Sequence, residues 1–338
     1  MLLALYIGGA LALFATRIGA VRAGNTFELV SREGSLVANN LLLSVILGVV
    51  LIGTFYPIVS AAMGTQLSVG PPFFEKAAGP VALVLVAIMA AGPLLRWRRD
   101  EPQAVLRRLT WPIAAAAFAA AGLVALAGAM GMLPLIGLAL AAGLAVASLA
   151  PLFGRNLLRT PLFTYGMVIA HLGIAVSLAG MAASSAFTKE TLVAAGVGEP
   201  AWVGPYRVIL RGIRPVIGDN WTALEARLEV QRGDAPTTLL APQSRYFSNP
   251  PTTTNESAIL TAVDGQLYTV LGQSDGTGRW QLRLWWKPWV TLIWLGGALV
   301  ALCGALSIAG HWLRDRRQKK RAVEAAEAAA YREAWGPA

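Results

Sequence analysis

The sequence predicts an α-helical polytopic membrane protein of about seven transmembrane helices, with one antiparallel β domain inserted before the last helix. Three observations predict it. The 338 residues are 56% hydrophobic and only 14% charged, too apolar for an ordinary soluble domain. The apolar residues gather in runs close to the roughly 20 residues that cross a hydrocarbon layer of about 30 Å. One long hydrophilic stretch, 186–288, instead carries the period of two that marks half-buried strands.

In chain order the expected spans are about 1–16, 38–59, 79–95, 110–129, 131–152, 162–185 and 289–312. The division that follows is a six-span bundle over 1–185, the β domain over 186–288, a last span over 289–312 and a basic tail over 313–338. The opening run has no basic stretch ahead of it, and Arg17 and Arg22 come after it, so it reads as a span rather than a cleaved leader. A chain starting inside a longer bundle fits that pattern. Asn39 and Asn40 look like capping residues at the start of the second span. The loop from Gly64 to Lys76, rich in Gly, Pro and Phe, reads as a re-entrant cap between two spans. In the sixth span Gly166, Gly173 and Gly180 recur every seven residues, a small-residue seam for close helix packing. The tail from Arg321 onward is Ala/Glu-rich and reads as a short helix.

Charge sets the orientation. Net charge is +10, and the basic residues crowd four segments: Arg17, Arg22 and Arg32; Arg96, Arg98, Arg99, Arg107 and Arg108; Arg155 and Arg159; and the tail from Arg314 to Arg332. Lys76 is the lone basic residue of the opposite loop. The positive-inside rule makes the four segments cytoplasmic and sends 186–288 outward. These cations are then topology signals, and no nucleic-acid partner is expected.

Within 186–288, Thr222–Gln231 alternates, with Leu224, Ala226, Leu228 and Val230 on one face and Glu225, Arg227 and Glu229 on the other. Tyr206–Leu210, Ser257–Ala262, Gln266–Leu271 and Arg279–Trp286 are further strands of an expected sheet or sandwich. Trp285, Trp286, Trp289 and Trp294 crowd the entry to the last span. They read as an aromatic belt at the water–lipid boundary, or as a surface for a flat aromatic ligand. Arg207, Arg211, Arg214 and Arg245 are either a solvated surface or contacts for an acidic partner.

Little else carries chemistry. The one cysteine, Cys303, lies in the last span, which excludes an internal disulfide and a thiol zinc site. There is no phosphate-binding loop and no Ser/His/Asp or Cys/His set, and no inverted repeat points to a transporter. The chain has two histidines. His311 sits at the cytoplasmic edge of the last span, where an imidazole needs no special reason. His171 lies in the middle of the sixth span, where an ionisable side chain marks a functional site by default. Its helix face is otherwise nearly all aliphatic, which suits an axial ligand of an embedded haem. A histidine hydrogen-bonded to a neighbouring helix fits the same residues.

A series of short stretches carries a family resemblance: Ser31-Arg-Glu33 with Asn39-Asn40, Gly53-Thr-Phe-Tyr-Pro57, Ser68-Val-Gly-Pro-Pro-Phe-Phe74, Arg96-Trp-Arg-Arg-Asp-Glu-Pro102, His171-Leu-Gly-Ile-Ala175, Arg245-Tyr-Phe247, Leu267-Tyr-Thr-Val-Leu-Gly272 and Arg283-Leu-Trp-Trp-Lys-Pro288. In this order they resemble the C-terminal half of the CcmF family, haem-handling membrane subunits of cytochrome c maturation. The resemblance implies a haem lyase subunit of the bacterial inner membrane that joins haem to apocytochrome c on the periplasmic side. The haem chaperone CcmE and CcmH are its implied partners, and quinol its implied electron source. It implies a haem b within the bundle, with His171 as one axial ligand of the haem iron. The alternative is a non-catalytic scaffold that docks the chaperone or apocytochrome through the periplasmic domain. Catalytic residues stay unassigned. A full member also carries a Trp-rich outward loop flanked by two histidines, and the other haem b ligand. This sequence lacks both, so the second ligand is expected from an N-terminal half outside this chain.

Overall fold

The computed structural model describes residues 2–20, 27–65, 67–128 and 130–336; Arg22, Gln66 and Ala129 of the segments above lie outside them. Seven helices come first: α1 (Leu2–Arg17), α2 (Arg32–Ala62), α3 (Pro71–Ala77), α4 (Gly79–Ala91), α5 (Pro102–Ala127), α6 (Met132–Leu149) and α7 (Leu162–Phe187). Ten strands follow: β1 (Lys189–Ala195), β2 (Pro200–Val203), β3 (Tyr206–Ile217), β4 (Trp221–Arg232), β5 (Thr238–Leu240), β6 (Gln243–Ser248), β7 (Pro251–Glu256), β8 (Ala258–Ala262), β9 (Gly265–Ser274) and β10 (Trp280–Pro288). Helix α8 (Thr291–Trp335) ends the chain.

Among the described residues five helices are long and apolar enough to cross a membrane, namely α2, α5, α6, α7 and α8. Helices α3 and α4 qualify together as a sixth, bent by 46° at their junction. The expected count of about seven is therefore not reached by length. The shortfall is α1, whose 16 residues rise only about 24 Å. Helix α3 is seated against α2: the Phe73 and Phe74 rings stack edge to face 5.2 Å apart and fill the notch at Gly53, where a Cβ would meet Phe74 at 2.6 Å.

Two boundaries differ from expectation. Helix α2 starts two turns before Asn39 because Ser31 caps it: the Ser31 hydroxyl accepts from the Gly34 N–H at 3.0 Å. Asn39 and Asn40 are thus inside the helix and cap nothing. At the other end of the chain, the tail is a continuation of α8, whose Ala/Glu-rich stretch carries the helix on without a break.

The glycine seam works as a contact surface. A Cβ at Gly173 would lie 2.7 Å from the Gly296 carbonyl oxygen, and one at Gly180 would lie 2.8 Å from the Ile293 nitrogen. Helices α7 and α8 therefore meet backbone to backbone, which larger residues would prevent.

The strands form two antiparallel sheets, one ordered β1-β10-β9-β8 and the other β2-β3-β4-β6-β7 with β5 beside β4. Val208, Leu210, Ala226 and Leu228 from one sheet face Leu267, Leu271, Leu282 and Leu284 from the other, all fully buried. Each buried leucine contributes about 2 kcal/mol. Leu224, expected on this face, is 40% exposed because β4 runs past the opposing sheet there. Glu225, on the other face, is buried instead: Arg214 and Gln243 both donate to its carboxylate at 2.7 Å.

The sandwich joins α8 without a linker. The Trp289 N–H donates to the Asp264 carbonyl at 2.8 Å, and the Thr291 hydroxyl donates to the Val263 carbonyl at 2.9 Å. The Arg232 guanidinium donates twice to the Asp264 carboxylate, at 2.8 and 2.6 Å, and lies 5.6 Å from the Tyr206 and Trp286 rings.

Candidate functional site

The site is a cavity of about 400 Å³ among α2, α4, α7 and α8. His171 lines it from α7, with Met167 and Ile174 one turn away on either side. Ile88 and Met89 come from α4, and Val300 from α8. The wall on α2 is Arg32, Ser35, Leu36 and Asn39, a stripe at positions i, i+3, i+4 and i+7. The lining is mostly aliphatic, with one cation and one amide.

The imidazole is anchored from behind. His171 Nδ1 lies 2.8 Å from the Met167 carbonyl oxygen. A carbonyl only accepts, so Nδ1 is the donor of this bond, and in the neutral ring Nε2 is then the nitrogen with the free lone pair. That tautomer is the one a metal binds through Nε2, with the second nitrogen satisfied behind it. His311 makes the same bond to Ser307 at 2.8 Å, but it is exposed and lines a different groove, where the middle of α8 passes the start of α7. The two histidines therefore do not share a site. Among the described residues no group of three or more His, Cys, Asp or Glu side chains is placed to hold a metal ion. The residues present fit a haem: an aliphatic slot, one imidazole, and Arg32 as a cation for a carboxylate.

A polar clasp sets the position of the α2 wall. The Arg32 N–H donates to the Arg96 carbonyl at 2.8 Å, and the Asp100 N–H donates to the Val30 carbonyl at 2.8 Å. Arg108 donates to both Asp100 oxygens, at 2.7 and 3.2 Å, and the Arg96 and Glu101 N–H groups donate at 2.9 Å. The Arg108 hydrogen bond leads in holding the Asp100 carboxyl down to about 2, against its burial; the two N–H groups add to it. The Arg32 guanidinium then stacks 4.9 Å from the Trp97 ring.

The other sequence candidates are engaged elsewhere. Trp286 is in the sandwich core, and Trp285 lies under the Arg283 guanidinium at 4.6 Å. Trp289 and Trp294 are exposed at the head of α8, as an interfacial belt requires. Arg211 pairs with Glu229 and Arg214 with Glu225, while Arg245 lies over the Trp221 ring at 4.3 Å. Three of the four arginines considered for an acidic partner thus already have neighbours within the sandwich. Sequence reasoning missed Arg32 and Asn39 as cavity residues, because one was counted as a topology charge and the other as a cap. The stripe at 32, 35, 36 and 39 was the signal that a helix continued through them.

Comparisons with known proteins place this architecture. Residues 186–288 match the family described as the CcmF C-terminal β-sandwich. The cytochrome c-type biogenesis protein CycK of Rhizobium meliloti (strain 1021) is 35% identical over 330 residues, covering 94% of this chain and 48% of the relative. The cytochrome c-type biogenesis protein CcmF of Escherichia coli (strain K12) is 34% identical over 326 residues, covering 94% and 49%. A solved structure, cytochrome c heme lyase CcmF, superposes with a TM-score of 0.66 at 25% identity, over 82% of this chain and 46% of that one. The chain spans about half the length of the curated relatives it matches. The likeness runs through both the helices and the sandwich, and along nearly its whole length the chain is similar to one half of the CcmF and CycK cytochrome c-type biogenesis proteins.

Proposed function

We propose that this chain is the haem b-binding part of a haem lyase, the membrane enzyme that attaches haem covalently to apocytochrome c. The observation that carries the reading is the His171–Met167 hydrogen bond, which occupies Nδ1 and leaves Nε2 as the ring nitrogen available to a ligand beside an aliphatic cavity. His171 is one axial ligand through Nε2, and the second comes from outside this chain. Leu36, Ile88, Ile174 and Val300 give the slot its apolar walls. Arg32, at the mouth end of the α2 stripe, holds a propionate. A haem b held by these residues would supply one-electron chemistry, with quinol as the proposed electron source. The basic segments face the cytoplasm and the sandwich faces the periplasm, where the haem chaperone CcmE, CcmH and apocytochrome c meet it.

The test is to express the chain with the N-terminal half of a CcmF relative and to replace His171 by Gly. A bis-histidine b-type visible spectrum is expected for the parent chain, lost in H171G and restored by added imidazole. An unchanged spectrum at full occupancy in H171G would overturn the assignment.

The scaffold reading draws on Leu192, Trp202 and Ile217, which stand 57%, 61% and 84% exposed on the sandwich. It predicts chaperone or apocytochrome capture that survives H171G with no pigment in either protein.

A further inference from the structure

Helices α7 and α8 lead into the sandwich at one end and converge again at the other. There a Cβ on Gly310 would lie 3.3 Å from the Leu162 Cβ. From Thr291 to Gly310 the helix rises about 29 Å, close to the thickness of a hydrocarbon layer. This end therefore sits at the water–lipid boundary opposite the sandwich. A groove of about 800 Å³ opens there.

Its charge is one-sided. Arg159 comes from the turn before α7, and His311, Arg314 and Gln318 form a stripe at i, i+3 and i+7 of α8. Among the described residues no carboxylate lines the groove. Asp315 follows Arg314 in the chain but is not part of the lining. Two neighbouring cations have other partners: Arg316 stacks 3.6 Å from the Trp312 ring, and Lys320 lies 3.8 Å from Glu324. The rest of the surface is apolar and open, with Leu158 98% and Phe163 57% exposed. Paired guanidiniums beside uncovered apolar side chains at a membrane boundary match a headgroup phosphate with its acyl chains.

We propose that this groove is a binding site for an anionic phospholipid. Arg159 and Arg314 hold the phosphodiester, and Leu158 and Phe163 contact the acyl chains. A free phosphate ester shares the headgroup chemistry but leaves the apolar half of the groove unused. A zwitterionic lipid brings a quaternary ammonium against two guanidiniums and is disfavoured.

The test is native mass spectrometry of the full chain in detergent, with dioleoylphosphatidylglycerol, dioleoylphosphatidylcholine or glycerol 3-phosphate added. Phosphatidylglycerol is expected to bind roughly thirtyfold more tightly than phosphatidylcholine, about fivefold for each arginine. The R159Q/R314Q double variant should lose that preference. K319Q/K320Q, which removes the same charge outside the groove, should keep it. Equal binding of the two lipids by the parent chain overturns the proposal. So does an equal loss in both double variants, which would mean a diffuse basic belt. Glycerol 3-phosphate binding as tightly as phosphatidylglycerol would assign the groove to a soluble ester.

Discussion

A histidine in the middle of an apolar helix has two chemistries open to it, and its hydrogen bond chooses between them. With Nδ1 committed to the Met167 carbonyl, Nε2 is the nitrogen of His171 left to bind, and the neutral ring offers its lone pair there. The sequence marked this residue by position, since nothing else ionisable lies near it in the span. It did not show the opposite wall. Arg32 was legible as a charge and Asn39 as a polar residue, but their convergence on the His171 cavity depends on how α2 packs against α4. One prediction belongs at this scale. Arg32→Gln removes a charge-assisted contact of the kind that contributes about 1.5 to 3 kcal/mol, and should lower haem b occupancy by about tenfold or more. The line shape of the visible spectrum should stay that of the parent, because the iron ligands are untouched. Spectra normalised to protein read both quantities.

At the scale of the element, the α7–α8 contact was the most legible part of the bundle. Three glycines at a spacing of seven announce a close approach, and each meets α8 at van der Waals range or nearer. Gly173→Val should force the helices apart. Overpacking of this kind costs about 1 to 3 kcal/mol, and it should appear as a lower thermal midpoint in detergent. Val300, which a Gly173 Cβ would meet at 3.0 Å, also lines the His171 cavity, so haem b occupancy should fall with it. Gly297→Val, where nothing lies within 4 Å, should do neither. The start of α2 was misread for a physical reason: a polar helix start on the water side carries no apolar periodicity. Its signal is a cap at Ser31, which two asparagines further along obscured. The strand pattern was right about Ala226, Leu228 and Val230 and wrong about Leu224, because alternation shows which face a residue is on and not where the covering sheet ends.

For the whole molecule, two ion pairs outside the membrane tie separate parts together, and both titrate in acid. The Asp100 carboxyl sits at about 2, against an ordinary 3.8, chiefly through the Arg108 hydrogen bond. Its folded value lies below its unfolded value. The stabilisation is therefore complete above about pH 4 and disappears as pH falls through about 2. Asp264 is likewise held below 3.8, first by its hydrogen bond from Arg232, and follows the same sign. Thermal midpoints should hold steady from pH 7 to about 4 and drop below that. Asp100→Asn should start lower and show a shallower acid loss. The division into helices and sandwich was readable from composition, since charge and alternation change abruptly at the sandwich. These pairs were not, because Arg232 and Asp264 are 32 residues apart and only the sandwich topology joins them.

The junction at Trp289 leaves the outer domain no swivel. Its backbone adopts φ of 61°, which a tryptophan takes only when its surroundings impose it, and hydrogen bonds to the Val263 and Asp264 carbonyls fix it from the β8–β9 turn. The sandwich is thus tied at its edge to the helix that follows it, and that same helix carries Val300 at the wall of the His171 pocket, so one continuous element borders both the outer domain and the imidazole's cavity.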